Sequence, residues 1–230
     1  MSKEAEWIPL ESNPDVMNAF LRELGLTKGY SIHDVFGTDP ELLSMVPRPV
    51  LGLILLFPIT SAENTAKIST VVPSSNESDK VYFMKQKISN ACGTIALIHL
   101  TANNPALKYD DSSTLGKFIC STSCLDPEAR GTALACDVDF RTKHEKISQQ
   151  GQTAPPSSEE AQNVDLHFVA IVPAEGKIWE LDGRKEGPVC HGNTTPDTFL
   201  EDGIKVCQAF MQANPNENRF TIVALAKDFD

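Results

Sequence analysis

The residues best equipped for covalent chemistry lie in the run Gln86-Lys87-Ile88-Ser89-Asn90-Ala91-Cys92-Gly93. A thiol in the first turn of a helix feels the positive end of the helix dipole, which lowers its pKa and favours the thiolate. Gly93, directly after it, removes a side chain where a substrate backbone would approach. Gln86 could aim an amide N–H at the carbonyl oxygen under attack, with help from the Cys92 backbone N–H. A thiolate nucleophile needs a base, and His167 lies further along in Asp165-Leu166-His167-Phe168. The base needs an orienting acid, and Asp182 follows in Leu181-Asp182-Gly183-Arg184. Cys, then His, then Asp puts the nucleophile on a helix and its partners on a facing hairpin, an arrangement able to carry acyl transfer. Each residue alone has a plainer reading. A buried Cys is usually a small hydrophobe, Gln86 an ordinary loop residue, and Asp182 before Gly183 a turn former.

The elements that would position these groups are legible in part. Asn13-Pro14-Asp15 opens a helix with an N-cap, a proline at its first position and an acid in its first turn; Val16, Phe20 and Leu24 give it an apolar face, and Gly25 ends it. Thr38-Asp39-Pro40-Glu41 starts a shorter helix that Pro47 stops. Val50 to Phe57 is apolar at nearly every residue and reads as a central strand covered on both faces. Residues 61 to 80 are polar and loop-like. Ser89 to Asn103 is apolar at helical spacing, which sets Cys92 in a first turn. Further helices start near Ser113 and at Asp126-Pro127-Glu128, and Thr195-Pro196-Asp197 caps the last one, with Phe199, Ile204, Cys207, Phe210 and Met211 on its apolar face. Asp165 to Val172 and Lys177 to Leu181 form a hairpin through Pro173-Ala174-Glu175-Gly176, and Phe220 to Ala226 is a closing strand. Residues 147 to 163 offer almost nothing to bury and read as a mobile surface loop, too long for a simple connector. The class is α/β or α+β around one core.

Composition narrows the function. The 230 residues are 41% hydrophobic and 22% charged, as in an ordinary soluble domain. No apolar run reaches the roughly 18 residues of a membrane span, so no membrane partner is expected. The polar start, Met1 to Glu6, lacks the apolar region of a signal peptide, so the cytoplasm is the expected compartment, with nuclear entry open at this mass. In that compartment the six cysteines are expected as free thiols. A formal net charge of −11 excludes nucleic acid as a natural partner and favours a basic one. Cys136, Cys190 and Cys207 read as packing residues. Cys120 and Cys124 suggest a metal pair on one helix face, but without a second pair they read as core thiols, and no metal or cofactor is expected. His99 reads as a structural histidine, and His33, His144 and His191 as solvated ones.

The Gln-x-x-x-Asn-Ala-Cys-Gly run, the Asp-Leu-His-Phe strand and the Glu-Leu-Asp-Gly-Arg turn resemble the ubiquitin C-terminal hydrolase family. Trp7 to Pro14 and Pro40 to Pro49 add to the match, which runs from about Trp7 to about Leu225 and is closest to the short, single-domain members. The resemblance implies a papain-like cysteine hydrolase fold over residues 1–230: an antiparallel sheet flanked by helices on both sides, with a knotted backbone. It implies Cys92 as nucleophile, His167 as general base, Asp182 as its orienter and Gln86 as oxyanion donor. The implied activity removes ubiquitin, or a ubiquitin-like relative, from small C-terminal adducts by a monomer; a ubiquitin-binding protein with little turnover is the rival. Substrate contacts are implied at Pro9, Leu10, Glu11, Asp15, Asp34 and Leu166, and a crossover loop over the active site at about residues 144–163. Three features depart from the family pattern: Leu100 follows His99, where a small residue is usual, the segment from Ser61 to Asp79 matches poorly, and the ending Lys227-Asp228-Phe229-Asp230 is unmatched.

Overall fold

The computed structural model describes residues 6–59, 78–153, 160–161 and 164–228. Much of the expected 61–80 loop lies outside them. The chain runs α1 (Pro14–Leu24), β1 (Tyr30–Asp34), α2 (Pro40–Leu43), β2 (Val50–Pro58), α3 (Cys92–Ala102), α4 (Thr114–Thr122), α5 (Pro127–Cys136) and α6 (Val138–Ser148). It continues through β3 (Leu166–Ala174), β4 (Lys177–Leu181), β5 (Val189–Asn193), α7 (Phe199–Ala213) and β6 (Thr221–Lys227). The six strands form one sheet in the order β1-β6-β2-β3-β4-β5, and every neighbouring pair is antiparallel.

Side-chain alternation divides the interior in two. Ile54, Phe168, Ala170, Val172, Val223 and Leu225 face a larger core shared with α1, α3, α4, α5 and α6. Leu53, Leu55, Phe57, Val169, Ile171, Ile222 and Ala224 face a second core closed by α2 and α7. Helices thus cover both faces of the sheet, as expected for β2, whose residues are buried on both sides. Asn13 caps α1 by accepting from the Asp15 N–H, and Gly25 ends it in a left-handed conformation at φ 107°.

The expected hairpin has a tighter connection than expected. β3 continues through Ala174, and Glu175 and Gly176 alone turn the chain, at φ 52° and 71°. Two consecutive positive φ values make this a primed turn, whose twist suits antiparallel strands. The expectations missed β1, β5 and α6. α6 is polar over much of its length, with Phe140, His144, Ile147 and Ser148 buried, and its helix dipole is served by an Asp137 cap. The first residues of the expected crossover segment, from His144 through Ser148, are therefore helical.

α3 is buried around its full circumference: every residue from Gly93 to Thr101 is inaccessible or nearly so. Such a helix lies inside a layer rather than on it. Leu100 fits because β2 has a glycine opposite it. A Cβ at Gly52 would meet the Leu100 Cδ2 well inside contact distance, and Leu100 is 0% exposed. Gly52→Ala should cost about 1–3 kcal/mol in urea unfolding through overpacking. In a Leu100→Ala background the same change should cost markedly less, with a coupling of about 0.5–3 kcal/mol. Additive costs would show that the two positions do not share this space.

Candidate active site

The nucleophile motif is shaped by its backbone. Asn90 adopts φ 63°, a left-handed conformation that asparagine tolerates better than most residues, and its side-chain amide donates to the Ala161 carbonyl at 3.1 Å. Ala91 follows as an N-cap with no side-chain hydrogen bond, and Cys92 is the first residue of α3. The thiol therefore stands at the uncapped, positive end of a buried helix. Gly93 is also required by the packing of the walls around Cys92. A Cβ there would meet Leu10 Cβ at 3.1 Å and Phe168 Cδ2 at 3.3 Å, so the missing side chain makes room for the protein's own walls.

His167 enters from the start of β3, where it pairs with Phe57 of β2 and packs edge-on against the Phe57 ring, centroids 5.8 Å apart. Its Nε2 lies 2.7 Å from Asp182 Oδ1, and both residues are buried. The other ring nitrogen, Nδ1, is buried without a hydrogen-bond partner of ordinary geometry. The Cys92 thiol is close enough to His167 for each to shift the other's pKa. Burial alone would push the His167 pKa down, but the Asp182 hydrogen bond, with Cys92, raises it to about 9. Burial opposes a thiolate at Cys92, yet His167, the Phe168 backbone N–H and the Arg184 charge lower its pKa on balance. Burial also opposes the charged form of Asp182, and the His167 contact outweighs it, so its pKa falls. The arrangement thus favours a thiolate beside an imidazolium steadied by a carboxylate.

Gln86 is held by its backbone N–H, which donates to the Gly183 carbonyl at 2.8 Å. Its side-chain amide donates to the Ile88 carbonyl at 3.0 Å, leaving its second N–H for another acceptor, while Oε1 is buried and unpartnered. Gly183 has to be small here, since a Cβ would sit 3.1 Å from Gln86 Cβ and 3.2 Å from Gln86 N. The loop carrying Asp182 is secured twice more. Lys85 Nζ donates to the Lys185 carbonyl at 2.9 Å. Glu180, 1% exposed, accepts from Lys185 Nζ at 2.5 Å and lies 2.9 Å from His191 Nε2.

Pro9, Leu10, Glu11 and Leu166 line one cavity of about 300 Å³ with Cys92 and Phe168. Asp15 and Asp34 do not reach it; they line an adjoining acidic cleft with Glu11 and Gln152. Glu11 accepts from the Thr153 N–H at 3.1 Å and Oγ1–H at 2.9 Å, and these contacts with Asn13 hold its pKa low against burial. Of the crossover segment, residues 154–159 and 162–163 lie outside the described residues.

Several expectations about single residues are corrected. His144 is fully buried: its Nδ1 lies 2.8 Å from Thr94 Oγ1 and its Nε2 2.7 Å from the Ile8 carbonyl. Burial lowers its pKa to about 4, so it is a neutral clamp between α3 and the Trp7–Leu10 wall. Its flanking charges hid it, because only helical phase places it inward. The His191 side chain is 3% exposed against Glu180, and His33 is half-buried, 3.0 Å from Ser31 Oγ. Cys120, Cys124 and Cys136 are exposed rather than packed, and among the described residues no third ligand joins them; Cys190 and Cys207 are buried as expected. His99 is structural as expected, with Nε2 accepting from the Met84 N–H and Nδ1 donating to the Leu181 carbonyl.

A helix-borne thiol facing a histidine and aspartate on a hairpin defines a papain-like cysteine hydrolase. Residues 7–212 match the family model described as ubiquitin carboxyl-terminal hydrolase, family 1. A "Ubiquitin carboxyl-terminal hydrolase" of Aplysia californica is 44% identical over 94% of this chain and 99% of that protein. One of Drosophila melanogaster is 42% identical over 95% of this chain and 96% of that protein. The catalytic domain of Trichinella spiralis UCH37, solved bound to ubiquitin vinyl methyl ester, superposes with a TM-score of 0.80 at 28% identity, covering 98% of this chain and 97% of that one. The chain belongs to the ubiquitin carboxyl-terminal hydrolase family.

The pH dependence follows from the charge pair. The thiolate exists above the lowered Cys92 pKa, and the imidazolium below about 9. A plot of kcat/KM against pH should be a bell whose acid limb lies below an ordinary thiol's and whose alkaline limb lies near 9. Asp182→Asn removes what raises His167, so the alkaline limb should move to lower pH while kcat falls by about 10²–10⁴-fold. An unmoved limb would show that Asp182 does not set the His167 pKa. Glu180→Gln should lower stability by about 1–3 kcal/mol in urea unfolding and reduce kcat, because it unties the Asp182 loop. Unchanged stability would show that the loop is held without it.

Proposed function

We propose that this chain is a deubiquitinating thiol hydrolase that releases small adducts from the C-terminal glycine of ubiquitin. The observation that carries this reading is the buried His167–Asp182 contact at 2.7 Å, set beside a pKa-lowered Cys92 at the rim of a narrow cavity. The Cys92 thiolate attacks the glycine carbonyl carbon. The Cys92 N–H and the free Gln86 N–H stabilise the oxyanion. The His167 imidazolium gives its proton to the leaving amine as the C–N bond breaks, leaving a thioester. Neutral His167 then takes a proton from water, which attacks the thioester and frees both thiol and ubiquitin. The cavity walled by Leu10, Leu166 and Phe168 suits a tail of glycines without side chains. The cleft of Glu11, Asp15 and Asp34 suits the arginines that precede those glycines in ubiquitin. The working compartment on this reading is the cytoplasm, with nuclear entry open, and the acting species is a monomer.

Ubiquitin carrying a C-terminal electrophile should label Cys92 alone among the six thiols, and Cys92→Ala should abolish turnover while leaving ubiquitin affinity nearly unchanged. Labelling of another cysteine, or turnover by Cys92→Ala, would sink the assignment. If the acidic cleft steers the tail, association should slow as salt rises from about 50 mM. Charge-neutral variants of Glu11, Asp15 and Asp34 should raise KM more than they lower kcat. A flat salt dependence would mean that these carboxylates only keep the surface soluble.

A further inference from the structure

A second cavity, of about 510 Å³, opens beside the first and shares Asn90 and Val164 with it. Gln86, Ser89, Ala161 and Arg184 complete its wall near the nucleophile motif. The proposed acyl-side cavity holds Cys92 and the Leu10–Leu166 walls, whereas this one holds Gln86, the donor that would face the reacting carbonyl. A tail lying in the first directs the group beyond the scissile bond towards the second. The volume is in the usual range for small-ligand sites, so a short peptide or amine fits and a folded domain does not.

Three charged residues line it: Glu6, Lys87 and Arg184. Lys87 is paired with Glu128. The Arg184 guanidinium has no ion-pair partner among the described residues, and its backbone is pinned by its N–H donating to Asp182 Oδ1 at 2.9 Å. The cation is therefore borne by the same carboxylate oxygen that orients His167, on the loop fixed by Lys85 and Glu180. Arg184 is close enough for its charge to be felt at Cys92. Glu6 stands on the N-terminal side, where it bridges to Ser89.

We propose that this cavity receives the leaving group, and that Arg184 makes the enzyme prefer leaving groups with a carboxylate close to the scissile bond. The inference rests on the thiol hydrolase reading and adds the chemistry of the departing side. The guanidinium offers a planar pair of N–H donors to a carboxylate, and the partial enclosure strengthens the contact relative to open solvent.

The test uses ubiquitin joined through its C-terminal glycine to amidated dipeptides Gly-Asp, Gly-Asn and Gly-Lys, with an aminocoumarin adduct as reference. Asp and Asn differ in charge at nearly equal shape. The wild-type enzyme should cleave the Asp adduct about three- to tenfold faster in kcat/KM than the Asn adduct, and the Lys adduct no faster than the Asn one. Added salt should shrink the Asp advantage. Arg184→Gln should bring the Asp-to-Asn ratio to about one, and Arg184→Lys should restore part of it. Comparing ratios within one variant cancels any effect of Arg184 on the Cys92 thiolate. A wild-type ratio of one, a ratio unchanged in Arg184→Gln, or a preference for the Lys adduct through Glu6 would overturn the inference. Failure to cleave even the aminocoumarin adduct would instead overturn the hydrolase reading on which it rests.

Discussion

The structure depends on placing a thiol and an imidazole side by side where burial opposes the charged form of each. Burial disfavours both charges, and it is the larger single influence on Cys92 and on His167. The pair survives because each charge answers the other and because Asp182 adds a second negative group 2.7 Å from the ring. Removing His167 would leave two buried acidic groups with no cation between them, which costs more than the intact cluster contributes. The architecture around the site is therefore an architecture for holding three side chains at fixed separations.

The fold meets that demand by bringing distant segments onto rigid supports. Cys92 begins a helix buried on all sides, so the sulfur cannot drift without disturbing the larger core. His167 lies on a strand paired on one side with β2, and Asp182 follows a strand paired with that one. The connecting turn of Glu175 and Gly176 fixes the register of those two strands, and with it which residue of β4 ends beside His167. The loop after Asp182 has no regular structure of its own, and polar contacts tie it down: Gly183 to Gln86, Lys185 to Lys85, and Lys185 to Glu180. His144 does the same for the Trp7–Leu10 wall.

The sequence was legible where a local rule and the tertiary demand agreed. The Asn13 cap, the wholly apolar β2 and the thiol in a first turn each follow from short-range chemistry, and each is found. Legibility failed where burial is decided by phase or by a distant partner. α6 reads as polar because its exposed face dominates, yet Phe140, His144 and Ile147 recur on one side of it. β1 and β5 are short sheet-edge strands with mixed patterns that pairing, rather than composition, defines. Glu180, Lys185 and His191 each look solvated alone, and only the register of β4 with β5 and the loop between them gathers the three. In the opposite direction, Cys120, Cys124 and Cys136 were expected inside because cysteine usually is, but their helix faces point outward.

Local irregularity concentrates at the reacting centre. Among the described residues, the buried side-chain polar atoms without a hydrogen bond are Gln86 Oε1 and His167 Nδ1. Asn90, two positions before Cys92, is one of two non-glycine residues at positive φ among the described residues, the other being Glu175 in the hairpin turn. A folded chain ordinarily avoids each of these features, since an unpartnered buried polar atom costs about 1–3 kcal/mol and a non-glycine left-handed residue about 1–3 kcal/mol. One of the three is answered by chemistry rather than by folding. His167 Nδ1 gains a partner when it passes its proton to a leaving group. The helix that Asn90 turns into place is the one that begins with Cys92. These costs are carried by the double-sided core, whose burial of β2, β3 and β6 on both faces supplies stability far from the site. A sheet covered on one face only would hold the same three side chains less firmly, and a site built to wait with unmet hydrogen bonds needs that firmness.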